Sequence, residues 1–166
     1  MTSKIKDFMY KNFFQAVLTL TAVLLVLTLF TEHILGFGPC ILCVAQRIIY
    51  SFILLAALAG IFSANVIKKL FKYIIIIFSA VGVFVSGYQL YTVYFISNAE
   101  TNCVAPDSIW AKVIDSFGEL LPLLYTVNSS CFDPSPQVLG IPLPFVSFLV
   151  FVFLLVFSLQ KNTISG

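Results

Sequence analysis

Gly38-Pro-Cys-Ile-Leu-Cys-Val-Ala-Gln-Arg-Ile-Ile-Tyr-Ser-Phe-Ile-Leu-Leu-Ala-Ala-Leu-Ala-Gly-Ile-Phe62 decides how the chain is read. From Val44 to Phe62 the stretch carries one charge, Arg47, among residues that are almost all apolar. A helix rises about 1.5 Å per residue and a bilayer core needs roughly 20 residues, so this run is long enough to cross a membrane. Its start carries two cysteines three positions apart and an arginine four positions further on.

The rest of the chain repeats the pattern. Of 166 residues, 60% are hydrophobic and 10% charged, whereas soluble domains average about 25% charged. Four spans are expected, over residues 12–31, 44–62, 73–96 and 138–159. The first follows Lys4, Lys6 and Lys11. It is longer than a signal-peptide core, and no small-residue cleavage pattern follows Phe30, so it is read as a retained span. In the last, Pro142 and Pro144 stand near the start, where a helix tolerates proline, and a shorter helix from near Pro144 is an equal reading.

Charge sets the orientation. Lys4, Lys6, Lys11, Lys68, Lys69, Lys72 and Lys161 fall on one side of four spans, while Glu32, Glu100, Asp107, Asp115, Glu119 and Asp133 fall on the other with Lys112. The positive-inside rule then places both termini in the cytoplasm. Outer loops 32–43 and 97–137 hold all four cysteines, Cys40, Cys43, Cys103 and Cys131, on the side where disulfides form and persist. A net charge of +2 on such a chain gives no reason to expect a nucleic-acid partner.

The second outer loop contains its own helical signal. Ile109, Trp110, Val113, Ile114, Phe117, Leu120 and Leu121 recur at helical spacing after Asp107, a candidate cap, and before Pro122. This short amphipathic helix is expected to lie along the membrane surface, the alternative being packing within its own loop. The fold class is thus an all-α membrane protein, a four-transmembrane-helix bundle with one amphipathic loop helix.

Cys40 and Cys43 sit within one turn at a helix N-terminus, whose partial positive charge favours thiolate. Zinc sites use the same spacing. Arg47 lies four residues beyond Cys43 on the same face and about 6 Å deeper, where a permanent charge must snorkel outward or meet an anion. We read it as stabilising a Cys43 thiolate and negative charge on an acceptor beside it. Cys103 and Cys131 either staple their loop or exchange with the first pair through a mixed disulfide. The sole histidine, His33, is read as a solvated loop residue, and no metal site is expected.

Cys-x-Leu-Cys-x-x-Gln-Arg at the head of the second span, the cysteine pair in the second outer loop, Trp110 in the loop helix and Leu139-Gly-Ile-Pro-Leu-Pro144 before the last span closely resemble the disulfide bond formation protein B (DsbB) family. The resemblance covers essentially the whole chain, and Gly87 and Gln89 add to it weakly. It implies a quinone-dependent thiol oxidase of the bacterial inner membrane, which reoxidises a periplasmic DsbA-like thioredoxin-fold protein and draws on ubiquinone or menaquinone from the membrane pool. It further implies that the partner attacks Cys103, that the released Cys131 attacks Cys40, and that Cys43 and Arg47 form the quinone site. A histidine that some members carry in the third span has no counterpart here, where Tyr91-Thr-Val-Tyr94 stands.

Two other readings were weighed. The vitamin K epoxide reductase family also combines four spans, C-x-x-C and loop cysteines, but in the reverse order along the chain. A non-enzymatic membrane protein with structural disulfides or zinc predicts permanent oxidation or bound metal.

Overall fold

The computed structural model describes residues 2–34, 39–95, 109–125, 127, 137–138 and 141–163. Among them the order is α1 (Thr2–His33), α2 (Ile41–Phe62), α3 (Asn65–Phe95), α4 (Ile109–Leu120), α5 (Pro122–Tyr125), β1 (Gln137–Val138), β2 (Ile141–Pro142) and α6 (Leu143–Thr163). The all-helical architecture expected of a membrane protein is present. Three stretches, Asn12–His33, Ile41–Phe62 and Ile67–Thr92, are long and apolar enough to cross a bilayer, and the apolar part of α6, Pro144–Gln160, is shorter. Helix is the natural solution for such runs because it satisfies every backbone N–H and C=O within the segment.

The helices pack in sequence, α1 on α2, α2 on α3 and α3 on α6. Stacking of Phe13 on Phe157, with centroids 5.4 Å apart, brings α1 back to α6. Inside lie Phe13, Phe14, Val17, Tyr50, Ile53, Ile75, Phe151 and Leu154. Outside, large side chains such as Val26, Ile77, Phe84 and Phe153 are exposed, the surface expected of a protein whose solvent is lipid. α2 is the most enclosed of the three long stretches.

Several boundaries differ from those expected. α1 runs on through Glu32 and His33, which are helical and not loop residues. His33 is exposed, as expected, with Nδ1 3.1 Å from the Leu29 carbonyl oxygen. α2 begins at Ile41, three residues early, because Cys40 caps it with extended backbone. α3 begins at Asn65, so Lys68, Lys69 and Lys72 lie on its first turns and not in a connection. Only Ser63 and Ala64 separate α2 from α3. The Ala64 carbonyl accepts the amides of Ile67 and Lys68, starting α3 at once. Lys72 is buried, its Nζ 5.6 Å from the centre of the Phe13 ring. α6 begins at Leu143, since Gln137 and Val138 pair antiparallel with Pro142 and Ile141. Ile141 precedes a proline, a position that favours extended backbone.

Two glycines permit the closest approaches. A Cβ on Gly60 would collide with the Phe14 ring and one on Gly82 with the Phe151 ring. Phe151 is fully buried and stacked on Tyr50 at 4.2 Å, so its ring has nowhere to retreat. Gly87 is different, because a Cβ there would meet Phe148 at an ordinary 3.6 Å. Gly82→Ala is therefore expected to destabilise the bundle by about 1–3 kcal/mol, while Gly87→Ala leaves it unchanged or slightly stabilised. Thermal unfolding of both variants in detergent tests the contrast, and equal melting temperatures would refute it.

Candidate active site

The site is built from the first two turns of α2. Cys40 takes extended backbone (φ −80°, ψ 167°) and its carbonyl accepts the Val44 amide at 3.0 Å, opening the helix. The Cys43 amide, one of the donors a helix start leaves without a backbone partner, reaches Cys40 Sγ at 3.4 Å. The two cysteines are free thiols, with Cys40 Sγ donating to Cys43 Sγ across 2.9 Å. Cys40 is buried and Cys43 half-buried. Leu42, Ile41 and Val85 of α3 pack around them. The hydrogen bond to Cys43 holds the proton on Cys40 and pushes that thiol far above its ordinary range, with burial and the neighbouring Cys43 charge acting in the same direction.

One turn beyond Cys43, Arg47 is 5% exposed and pairs with Glu32, itself 12% exposed, through Nη1 and Oε2 at 2.7 Å. The same Nη1 donates to the Leu124 carbonyl at 2.6 Å. Arg47 Nε is buried and has no hydrogen-bond partner among the described residues. The guanidinium thus does not snorkel; it meets an anion from the last turn of α1 and a carbonyl from α5. Its neighbour Ser51 donates to the Arg47 carbonyl at 3.0 Å, and the Ser51 and Tyr125 hydroxyls lie 2.8 Å apart.

These contacts dock the loop helix. Ile114 of α4 and Tyr125 of α5 are buried against Val44, with Phe117 and Leu124 beside them. Packing on α2 therefore covers one side of the apolar stripe, while Ile109, Val113 and Leu120 stay exposed. The stripe is wider than a single contact, which is why both burial partners could be read from it. Asp107, the expected cap, lies outside the described residues.

The structure brings Cys40, Cys43 and Arg47 together. Cys103 and Cys131 lie outside the described residues. Three further residues join the site. Glu32 partners Arg47. Gln46 Nε2 donates to Gln89 Oε1 of α3 at 2.7 Å, and Gln89 Nε2 lies 3.2 Å from Cys43 Sγ and 3.4 Å from Cys40 Sγ. Each is a polar residue in or at the edge of an apolar run, a signal worth pursuing because such groups seek partners in the bundle interior.

Two outcomes follow. In the reduced protein, Cys43 is expected to alkylate at least about tenfold faster than Cys40 near neutral pH, since the thiolate is the nucleophile. Peptide mass mapping after a timed iodoacetamide pulse reads this, and equal labelling would contradict it. Glu32→Gln strands the buried Arg47 charge and is expected to cost about 3 kcal/mol of stability, most of it restored in Glu32→Gln/Arg47→Met. Thermal melts of the two variants test that order.

Comparison with known proteins agrees with the site. The family model described as "Disulfide bond formation protein DsbB" matches residues 10–160. Disulfide bond formation protein B of Ralstonia nicotianae is 29% identical over 146 residues, covering 87% of this chain and 88% of that protein. Disulfide bond formation protein B 1 of Pseudomonas fluorescens is 27% identical, covering 81% of this chain and 80% of the relative. Disulfide bond formation protein B of Xylella fastidiosa is 28% identical, covering 82% and 80%. With a matched region that takes in α2, its cysteines and Arg47, the chain belongs to the DsbB family of disulfide bond formation proteins.

Proposed function

We propose that this chain is a quinone-dependent protein thiol oxidase that reoxidises a periplasmic DsbA-like thioredoxin-fold protein. In this reading it crosses the bacterial inner membrane four times, α6 being the fourth crossing, with both termini cytoplasmic and the cysteines periplasmic. The lysine distribution and the family membership support that topology. The observation that carries the function is the Cys40–Cys43 pair, 2.9 Å apart at the head of α2 with a buried cation one turn away.

The relay runs through the chain's own sulfurs. A thiolate of the partner attacks Cys103, breaks the Cys103–Cys131 bond and frees Cys131. In the oxidised form of the Cys40–Cys43 pair, Cys131 attacks Cys40, breaking the Cys40–Cys43 disulfide, forming a Cys40–Cys131 bond and expelling Cys43 as a thiolate. The asymmetry of the pair favours this direction, because Arg47 follows Cys43 on α2 and a sulfur that bears charge more easily leaves faster. Cys40 is buried, so the attack requires a local opening at this end of the bundle. The second partner thiolate then resolves the mixed disulfide, completing the partner's own disulfide and freeing Cys103, whose thiolate attacks Cys131, breaks the Cys40–Cys131 bond and restores the loop disulfide, leaving Cys40 and Cys43 as the reduced pair.

The residues present suit a quinone. Arg47, one turn along α2 from Cys43, offers a buried Nε without a hydrogen-bond partner among the described residues. Arg47 and Cys43 would hold the quinone, which supplies a two-electron, two-proton sink when bound.

The test is the Cys43→Ser variant. Without its native partner, the Cys40 thiolate is expected to attack Cys131 of the loop disulfide, forming a Cys40–Cys131 bond and releasing Cys103 as a thiolate, whereas Cys103→Ser keeps Cys40 and Cys43 oxidisable by quinone but stops turnover with the partner. Non-reducing peptide mapping reads both outcomes. No Cys40–Cys131 cross-link in Cys43→Ser would reduce the loop pair to a staple and defeat the relay.

A further inference from the structure

Gln46 and Gln89 form a buried amide pair between α2 and α3, 4% and 2% exposed, with no role in the relay described above. The orientation of the pair is what matters. Gln89 Oε1 accepts from Gln46 Nε2 at 2.7 Å, which leaves the Gln89 amide nitrogen as the group that faces the two sulfurs, at 3.2 Å from Cys43 and 3.4 Å from Cys40. A protonated thiol is a weak acceptor, so a buried N–H aimed at it is poorly satisfied. The same N–H aimed at a thiolate makes a charge-assisted bond, about twice as strong as a neutral one.

The surroundings sharpen the argument. Leu42, Ile41 and Val85 wall the pair with hydrocarbon, and a donor in such a place is worth more than in water. Among the described residues, the charged pair at this end of the bundle is Arg47 on α2 and Glu32 on α1, bound to each other. α3 has no charged side chain beyond Lys72. Lys112, Asp115 and Glu119 of α4 are exposed. Arg47 reaches Cys43 only through its field, while the direct donors to Cys43 Sγ are Cys40 Sγ at 2.9 Å and, from α3, the neutral Gln89 amide at 3.2 Å.

We propose that Gln89 is a second donor, beside Cys40 Sγ, that stabilises the Cys43 thiolate, and that Gln46 is a positioning residue that acts by fixing which end of the Gln89 amide faces sulfur. The proposal deepens the thiol-oxidase reading and rests on it, but its test needs neither quinone nor partner, so the two can fail separately. Gln89 also makes α3 part of the redox site, and any shift of α3 against α2 changes the donor distance at the sulfur.

The experiment is the pH profile of Cys43 alkylation in the reduced full-length protein, resolved by peptide mass. Gln89→Met, similar in volume but without a donor, is expected to slow Cys43 labelling near neutral pH by about tenfold and to move its half-maximal pH upward by about one unit. Gln46→Met gives a smaller loss in the same direction. Because Gln46 acts through Gln89, Gln46→Met/Gln89→Met labels no slower than Gln89→Met alone. Should Gln89→Met fail to fold, Gln89→Asn keeps a buried amide but withdraws it by one methylene, and the same upward move is expected. An unchanged profile in either Gln89 variant overturns the proposal, and additive losses in the double variant overturn the role of Gln46.

Discussion

A guanidinium held in an almost uncharged bundle is the constraint on which the active end of this protein depends. At 5% exposure the Arg47 guanidinium cannot rely on water. Its charge therefore has to be met by protein, and two separate parts of the chain converge to do so. Glu32 arrives from the end of α1 and the Leu124 carbonyl from α5, while Ser51 on α2 ties the next turn to Tyr125. Breaking a buried pair costs several kcal/mol, whereas a hydrophobic replacement of the whole pair often does not. The ion pair is thus better understood as specifying an arrangement than as supplying net stability. It draws the end of α1, the head of α2 and the loop helix together around two sulfurs.

The two ends of the bundle are built to different rules. At the lysine end, α2 and α3 are joined by two residues, with Ser63 Oγ bound to the Ala59 carbonyl at 2.7 Å and α3 starting directly. There the stacking of Phe13 on Phe157 ties α1 to α6 and Gly60 brings α2 against the Phe14 ring, while further along the bundle Gly82 of α3 meets the Phe151 ring. Such contacts tolerate little displacement, because packed interiors deform at a cost for even one added methylene. At the cysteine end, polar contacts replace ring-on-glycine packing. Hydrogen bonds between side chains can be exchanged one for another, so that end can rearrange locally at less cost than the ring-packed part. The same geometry separates durable scaffold from working parts along a single helix, α2.

A good deal of the site was legible in advance. Cys40, Cys43 and Arg47 share one helix, and their mutual placement follows from a period of 3.6 residues. The helix at Ile109–Leu120 was equally plain, because its apolar residues fall on one side. Glu32, Gln46 and Gln89 were not assigned to the site. Glu32 was counted only as a charge outside the first span, and Gln89 only as a weak family likeness. Nothing local to Glu32 points to a residue 15 positions away, and nothing near Gln89 points to one 43 positions back.

By itself the sequence determined that the chain belongs in a membrane, where its long helices run, and the spacing of its redox pair and arginine, since all of these depend on composition and local helical geometry. The tertiary structure alone decided which helix faces meet. α1, α2 and α6 are apolar on nearly every side, so hydrophobicity gives them little preferred rotation about their axes. Rotation is decided instead by contacts that need two elements at once: a ring against a glycine, a carboxylate against a buried guanidinium, an amide against a sulfur. Those contacts exist only after the helices have packed, and they are what turns two cysteines on one turn into a site.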